Sequence, residues 1–260
     1  MRLATFNVLH GQPMGADGRP ADSAAAPGQP LADAVAALDA DVLALQELDR
    51  FLDRSGQIDQ ALVAAAAMGA RDWRYATADP GVRVYSASEA GDGGASQGIA
   101  LLTRRPVLDW RVRRLAAAPL PMPLRVAGRP GLVMISDHPR TALAAVLQGP
   151  NGPFAVAAVH LSFVPPWNAA QLIAVRRWIA DLPRPHLLLG DLNLPGPVPR
   201  LLLGSGWRDL ARVPTYPAHR PRVQFDHVLA AGLGRDAVRA AATPAIPVSD
   251  HRPLLVDVEL

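Results

Sequence analysis

Residues 186–193, His-Leu-Leu-Leu-Gly-Asp-Leu-Asn, join an apolar strand to a pair of polar side chains, and this combination decides the fold class. The run from His186 to Gly190 has the length and composition of a buried strand. Asp191 and Asn193 follow it directly. Because ligands gather at one set of strand ends in open α/β sheets, the stretch predicts a functional site at a sheet edge.

Similar segments recur along the whole chain. Strands are predicted at Arg2–Asn7, Val42–Gln46, Gly98–Thr103, Thr141–Leu147, Phe154–His160, His186–Gly190, Phe225–Ala230 and Leu254–Val258. Helices are predicted at Leu31–Leu38, Gln57–Met68, Asn168–Ile179 and Arg200–Leu203. Asn168 is expected to cap the third helix and Gly69 to end the second. Loops are expected at Gly11–Pro30, Asp79–Ser96 and Ala116–Pro139.

The order of these elements indicates an α/β fold with two mixed sheets. Strands alternate with helices, yet the Gly- and Pro-rich stretch from Gln148 to Pro153 is typical of a hairpin loop, so part of a sheet is antiparallel. Two packed mixed sheets flanked by helices, a four-layer α/β sandwich, satisfy both observations. The 260 residues fit one large domain or two small ones. Since no linker or charge run marks a boundary, we predict a single domain over residues 1–260.

The composition excludes several kinds of chemistry. Half of the residues are hydrophobic and 19% are charged, which supports a sizeable core and argues against disorder. Cysteine is absent, which excludes disulfides and thiolate metal sites. All 26 basic residues are arginine, so lysine-dependent phosphate loops and Schiff bases are excluded as well. The net charge of only +3 is a weak argument for nucleic-acid binding.

Nothing in the chain predicts insertion into a membrane or export. Apolar runs such as Leu187–Leu189 are far shorter than the roughly 20 residues of a spanning helix. Residues Met1 to Phe6 lead directly into the first strand, without the apolar region of a signal peptide. A cytoplasmic location is therefore expected.

Uncommon polar residues lie at the ends of most predicted strands. They are Asn7, Glu47, His160, Asp191 with Asn193, Asp226 with His227, and Asp250 with His251. Carboxylate and amide oxygens are hard ligands, which suit Mg²⁺ or Mn²⁺ better than zinc. Histidines beside such ligands suit proton transfer around a phosphate.

Six short motifs resemble those of the endonuclease/exonuclease/phosphatase superfamily and occur in the same order. They are Thr5-Phe6-Asn7, Leu45-Gln46-Glu47, Val159-His160-Leu161, Gly190-Asp191-Leu192-Asn193, Phe225-Asp226-His227 and Ser249-Asp250-His251. One such motif alone is weak, but six in order over nearly the whole chain are specific. The resemblance implies a deoxyribonuclease-I-like sandwich and a metal-dependent hydrolase of phosphoester bonds, as in deoxyribonucleases, inositol-polyphosphate phosphatases and neutral sphingomyelinases.

The resemblance also implies which residues hold the metal. Glu47 resembles the principal metal carboxylate, with Asn7 beside it. Asp191 and Asn193 resemble the pair that positions the attacking water and the phosphate oxygens, and Asp191 is also counted among the metal ligands. Asp250 would be a further carboxylate close to the metal. The implied cofactor is Mg²⁺ or Mn²⁺.

The remaining motif residues are implied to act on the phosphate. His251 resembles the histidine that contacts the scissile phosphate, oriented by Asp226. His160 matches the second histidine of the deoxyribonuclease and sphingomyelinase branches. Arg140 and Thr215 occupy positions where members of the family often carry an arginine and a threonine, and both are predicted to bind substrate phosphate.

Two positions depart from the family pattern. In deoxyribonucleases a glutamate partners the histidine that corresponds to His160, whereas the nearest position here is the neutral Gln97. His160 is therefore expected to be less basic, or to have another partner such as a loop carboxylate. Abasic-site endonucleases carry an acid two residues after the equivalent of Asn7. That position is Leu9 here, which disfavours abasic-site cleavage.

Plainer interpretations exist for single motifs. Asn7 alone could hold a turn, and Asp191-Leu192-Asn193 could form an Asx-turn and nothing more. Glu47 is costly to bury without a partner, which favours a bound ligand there. Ser136-Asp137-His138 copies the terminal Ser-Asp-His motif, but it precedes the His160 strand, so His138 is assigned to a loop without a role in catalysis.

The predicted function is hydrolysis of a small or headgroup-type phosphoester, either a monoester or a diester. A DNA endonuclease or exonuclease is the alternative within enzymes, and a catalytically silent phosphate-binding module is the alternative from another class. Because the set of motif residues is complete, a catalytically silent module is disfavoured. Duplex DNA normally requires a broad cationic face, so nucleic acid is possible but not favoured as a partner. The oligomeric state is left open.

Overall fold

The computed structural model describes residues 1–78, 82–89, 93–124 and 131–260. Residues 79–81, 90–92 and 125–130, which belong to two of the predicted loops, lie outside this description. The helices in the described residues are α1 (Gln29–Leu38), α2 (Gln60–Met68), α3 (Trp167–Trp178) and α4 (Val198–Leu203). None of these helices is long and apolar enough to cross a membrane.

The strands of the described residues fall into two large sheets and one small pair. In chain order they are β1 (Arg2–Asn7), β2 (Val42–Arg50), β3 (Asp72–Thr77), β4 (Val84–Tyr85), β5 (Ser96–Thr103), β6 (Val107–Leu115), β7 (Met122–Leu124), β8 (Val133–Ile135), β9 (Arg140–Gly149), β10 (Gly152–His160), β11 (His186–Asp191), β12 (Trp207–Asp209), β13 (Asp226–Ala231), β14 (Val238–Ala242) and β15 (Leu254–Val258). Strands β4, β7 and β8 lie within segments that were expected to be loops, because they are only two or three residues long and lack a readable alternation.

Both large sheets mix parallel and antiparallel pairs. The first has the strand order β14-β15-β1-β2-β5-β3-β4, in which β1 and β2 are parallel. The second has the order β12-β13-β11-β10-β9-β6, in which β10 and β11 are parallel. The predicted hairpin is confirmed, since β9 and β10 pair up to Gly149 and Gly152. Strand β6, which carries the alternating arginines Arg111 and Arg113, lies at the edge of its sheet.

The central strands of each sheet are buried on both faces. On β1, Leu3 faces the second sheet, whereas Ala4 packs with residues of α1 and α2. On β10, Val156 faces the first sheet, whereas Ala157 packs with residues of α3 and α4. Burial on both faces explains why the central strands are almost continuously apolar. The order helices, sheet, sheet, helices confirms the predicted four-layer sandwich.

Strand β2 contains a β-bulge at Glu47. The strand was expected to end at Gln46 but continues to Arg50, and its pairing with β5 shifts by one residue between Leu45 and Leu48. Glu47 has a positive φ of 57°, which is uncommon for a residue other than glycine. A bulge of this kind redirects a side chain out of the regular alternation. The bulge therefore points the Glu47 side chain in a direction that a regular strand would not allow.

Helix α3 differs from the prediction at its beginning. Pro166 is the N-cap residue and no side chain caps this helix, so the expected capping role of Asn168 is wrong. Asn168 is buried in the first turn, where its Nδ2 donates to the backbone carbonyl of Asn193 at 2.9 Å. The amide of Asn168 therefore supports the segment that follows β11.

Candidate active site

A cavity of about 290 Å³ lies at one edge of the sandwich, where strands of both sheets end. Strand β1 ends at Asn7, β10 at His160 and β11 at Asp191. His160 and Asp191 lie side by side, because they are register partners on parallel strands. The predicted site residues that line this cavity are Asn7, Glu47, Arg140, His160, Asp191, Asn193 and His251.

Asn7 connects carboxylates from the two sheets. Its Nδ2 donates to Oε1 of Glu47 at 3.0 Å and to Oδ2 of Asp191 at 3.1 Å. Its Oδ1 accepts from the backbone N–H of Leu9, which closes an Asx-turn. The Oδ1 atom of Asn7 therefore has the role of a turn residue. The Nδ2 atom holds the side chains of Glu47 and Asp191 close together.

Asp191 is held in place by backbone contacts on both sides. Its Oδ1 accepts from the N–H of Asn193 at 2.9 Å, again as an Asx-turn, while the Nδ2 of Asn193 donates to the carbonyl of Leu161. A Cβ atom at Gly190 would lie 2.0 Å from the carbonyl oxygen of Val159, so only glycine fits there. Burial raises the pKa of Asp191 to about 6, against the opposing charge of His251.

His251 and Asp226 form a buried pair behind the cavity. The Nδ1 of His251 donates to Oδ2 of Asp226 at 2.8 Å. The ring of Tyr216 packs against the imidazole with 4.9 Å between ring centroids. Burial alone would lower the pKa of His251, but Asp226, followed by Asp191 and Asp250, raises it to about 10. His251 is thus a cation at neutral pH, with its Nε2 3.9 Å from Asp191 Oδ2.

His160 has the opposite environment. Its Nδ1 lies 3.4 Å from Nη1 of Arg140, and its Nε2 lies 3.6 Å from Oδ2 of Asp191. Burial, together with the positive charges of Arg140 and His251, lowers the pKa of His160 well below its usual range. Gln97 does line the cavity, but the Nδ1 of His160 contacts the guanidinium of Arg140.

The structure does not bring Thr215 or Asp250 to the wall of this cavity. Thr215 is fully buried, and its Oγ1 accepts from the backbone N–H groups of Phe225 and Asp226 at 3.4 Å each. It therefore supports the Asp226 segment and does not line the cavity. Asp250 lines a neighbouring cavity of about 370 Å³.

Two residues of the loop copy Ser136-Asp137-His138 do reach the site. His138 is exposed in a loop, as expected, but it lines the same cavity as His160 and His251. Asp137 is buried and contacts Arg140, with 3.3 Å between Oδ1 and Nη2. The repeated Ser-Asp-His pattern indicated these residues. Because the copy lies in an irregular segment before the His160 strand, it was instead predicted to have no role in catalysis.

The oxygen donors at the cavity fit a hard divalent cation. Asp191, Asp226 and His251 offer three ligand atoms within 4.8 Å of one another. In that group, however, Nδ1 of His251 is already bonded to Asp226, and Asp226 does not line the cavity. Glu47 and Asp191 do line it, and their carboxylate oxygens are typical ligands of Mg²⁺ or Mn²⁺. Asn7, also predicted as a ligand, lines the cavity too, but its Oδ1 accepts from Leu9 and its Nδ2 faces both carboxylates, so it orients them. We therefore favour Glu47 and Asp191 as the metal-holding residues.

Solved structures resemble this chain in fold. A search of the curated proteins finds no match to the chain. Among solved structures, an endonuclease/exonuclease/phosphatase from Beutenbergia cavernae is 20% identical with a TM-score of 0.63, over 100% of this chain and 71% of that one. The mannosyl-6-phosphatase Bt3783 of Bacteroides thetaiotaomicron is 16% identical with a TM-score of 0.67, over 100% of both chains.

A third structure is the catalytic domain of human Nocturnin with a bound sulfate anion. It is 19% identical with a TM-score of 0.62, over 100% of this chain and 94% of that one. At such identities these likenesses show the fold alone. Residues 4–251, which include every motif residue at the cavity, match the model of the Endonuclease/Exonuclease/phosphatase family. The chain therefore belongs to the endonuclease/exonuclease/phosphatase family.

Proposed function

We propose that this protein hydrolyses a small phosphoester with the help of Mg²⁺ or Mn²⁺. The observation that carries the proposal is the meeting of two kinds of charge in one cavity. Glu47 and Asp191 are bridged by Asn7, and the cationic His251 and Arg140 line the same space. Carboxylates of this kind suit a metal, and the cations suit a phosphate.

Each side chain has a separate task in this proposal. The metal, when bound, supplies positive charge that offsets the charge of the phosphate. Glu47 and Asp191 would hold it, with Asn7 orienting both carboxylates through its Nδ2. Asp191 and Asn193 orient the attacking water, and the Asp191 carboxylate is placed to accept a proton from it. His251 donates a hydrogen bond from Nε2 as negative charge develops on the phosphate oxygens.

The dimensions of the cavity favour a small substrate. A volume of about 290 Å³ is at the lower end of the range for ligand pockets. Arg140 is the one arginine among the described residues that line it. Binding of a nucleic-acid polymer normally depends on neutralising several phosphates at once. A phosphomonoester or a small phosphodiester, including a nucleotide or a headgroup, fits these features better, and the mannosyl-6-phosphatase shows by its name that this fold accommodates a phosphomonoester.

The experiment is a hydrolysis assay on protein first treated with EDTA. Phosphomonoesters, phosphodiesters, nucleotides and phospholipid headgroups are offered with Mg²⁺, with Mn²⁺ and without metal, and an Asp191→Asn protein purified in parallel controls for contaminating phosphatases. We expect turnover that requires metal and is lost in the variant. Binding of phosphate without turnover of any substrate would instead indicate a silent binding module. Full activity after exhaustive chelation would overturn the role of the metal.

A further inference from the structure

We propose that Asp137 is a positioning residue that determines, through Arg140, which ring nitrogen of His160 carries a hydrogen. The proposal rests on the proposed phosphoester hydrolysis and extends it. It assigns to His160 the donation of a hydrogen bond from Nε2 to the substrate phosphate. Asp137 belongs to the loop copy Ser136-Asp137-His138, which lies outside the six motifs described above.

The contact between Arg140 and His160 determines the direction of the hydrogen bond. Nη1 of Arg140 lies 3.4 Å from Nδ1 of His160. A guanidinium has only donors, so Nδ1 must present its lone pair and the ring hydrogen must be on Nε2. Nε2 faces the cavity, 3.6 Å from Oδ2 of Asp191. A hydrogen at this atom is available to a phosphate oxygen bound beside Asp191.

Asp137 keeps Arg140 in this orientation. Its Oδ1 accepts from Nη2 of Arg140 at 3.3 Å, which is the other arm of the same guanidinium. The Asp137 side chain is fully enclosed, and that of Arg140 is only 14% exposed. Interactions between enclosed charges are weakly screened by solvent, so the carboxylate has a strong influence on the guanidinium. Without it, Arg140 would be free to turn away from the imidazole.

The second oxygen of Asp137 fixes the segment that carries His160. Oδ2 accepts from the hydroxyl of Ser162 at 2.7 Å and from the N–H of Ala118 at 2.8 Å. Ser162 lies two residues after His160, just beyond the end of β10. One carboxylate therefore holds both the arginine that faces the imidazole and the chain that carries the imidazole. Asp137 therefore fixes the position of Arg140 relative to His160.

The test reads the tautomer of His160 directly. Long-range ¹H–¹⁵N correlation spectra of ¹⁵N-labelled protein, recorded without metal or substrate, distinguish Nδ1–H from Nε2–H. The His160 signals are assigned by their loss in His160→Gln. We expect Nε2–H in the wild type and in Ser162→Ala, which removes a different donor from the same carboxylate. We expect a mixture of tautomers in Asp137→Asn.

Kinetics provide the second measurement. Asp137→Asn should lower kcat about tenfold or more, because a residue that fixes the tautomer of a catalytic histidine contributes strongly to the rate. Asp257→Asn at the distant Arg2 pair should not change it. If Asp137→Asn fails to fold, Arg140→Gln provides the same test, because Asp137 keeps its bonds to Ser162 and Ala118. Nδ1–H in the wild type, or an unchanged tautomer in a folded variant, would overturn the proposal. The spectra decide this even if no phosphoester is hydrolysed.

Discussion

The Nδ1 of His251 lies 2.8 Å from Oδ2 of Asp226, and both side chains are buried. Burial disfavours the imidazolium, but the adjacent carboxylate more than compensates and raises the pKa of His251 to about 10 from its ordinary value of 6.5. When folding raises the pKa of a group, protonation of that group stabilises the folded state relative to the unfolded state. This contribution is complete below about pH 6.5 and is lost as the pH rises through about 10.

Asp226→Asn should therefore destabilise the protein in a pH-dependent manner. In EDTA, the difference in Tm between wild type and variant should be largest near pH 6 and should shrink as the pH approaches 10, where the wild-type imidazolium loses its proton. Thermal unfolding at several pH values measures this difference. Asp257→Asn, which removes an exposed ion pair, is the control and should show a small difference at every pH. A constant gap for Asp226→Asn would contradict the assignment of charge to His251.

Glu47→Gln should change the metal requirement more than the fold. Glu47 is only partly buried on its bulge, and glutamine keeps its shape while losing the charge that attracts a cation. The Mg²⁺ concentration that gives half-maximal activity should rise by about tenfold or more. Metal titration of activity, together with the Tm of the metal-free protein, measures both effects. An unchanged titration would exclude Glu47 as a ligand, and Glu259→Gln at the surface provides the control.

The short apolar strands, and their order with the helices and the hairpin, were enough to predict the sandwich. Strands β1 and β15 have the bounds that the pattern indicates, because both are regular strands with their apolar residues packed in the core. The bulge at Glu47 was not predictable, since it depends on pairing with β5 and not on the local sequence of β2. Regular strands are readable from residues close in sequence, whereas register irregularities are not.

The candidate site was readable where a side chain acts at the end of its own strand. Asn7, His160 and Asp191 are of this kind, and all three line one cavity. Asp137 and Asn168 were assigned other roles, because their importance comes from partners 25 residues away, Ser162 for one and Asn193 for the other. Such contacts exist only after the fold has formed.

The two Ser-Asp-His copies should differ in kinetics. His251→Ala should lower kcat by roughly 10²–10⁴ with little change in KM, because a group that acts mainly in the transition state affects kcat. His138 lines the cavity in an exposed loop, so His138→Ala should raise KM by a few fold at most and leave kcat within about twofold. Steady-state kinetics on one small phosphoester compare them. A large kcat loss in His138→Ala with none in His251→Ala would reverse the assignment.

Gly190→Ala should be strongly destabilising. Its Cβ would lie 2.0 Å from the carbonyl oxygen of Val159, a backbone atom that cannot move without separating β10 from β11. The free energy of unfolding, measured by urea denaturation, should fall by about 1–3 kcal/mol or more. Gly206→Ala is the matched control, because a Cβ there meets no atom within 4 Å. Equal stabilities of the two variants would contradict the close strand contact.

Turnover of small phosphoesters should exceed cleavage of duplex DNA at physiological salt. The cavity is about 290 Å³ in volume and presents Arg140 as the one arginine among its described lining residues, whereas a duplex is gripped by several cations along its backbone. The net charge of +3 adds little long-range attraction for a polymer.

Plasmid nicking is compared with hydrolysis of a small phosphodiester over a salt series, with Asp191→Asn as the inactive control for both. We expect weak, strongly salt-dependent nicking beside turnover of the small ester that salt hardly affects, because a single phosphate displaces few counterions. Efficient nicking at nanomolar enzyme, with no better small substrate, would show that cationic groups outside the cavity hold a polymer and that the protein is a nuclease.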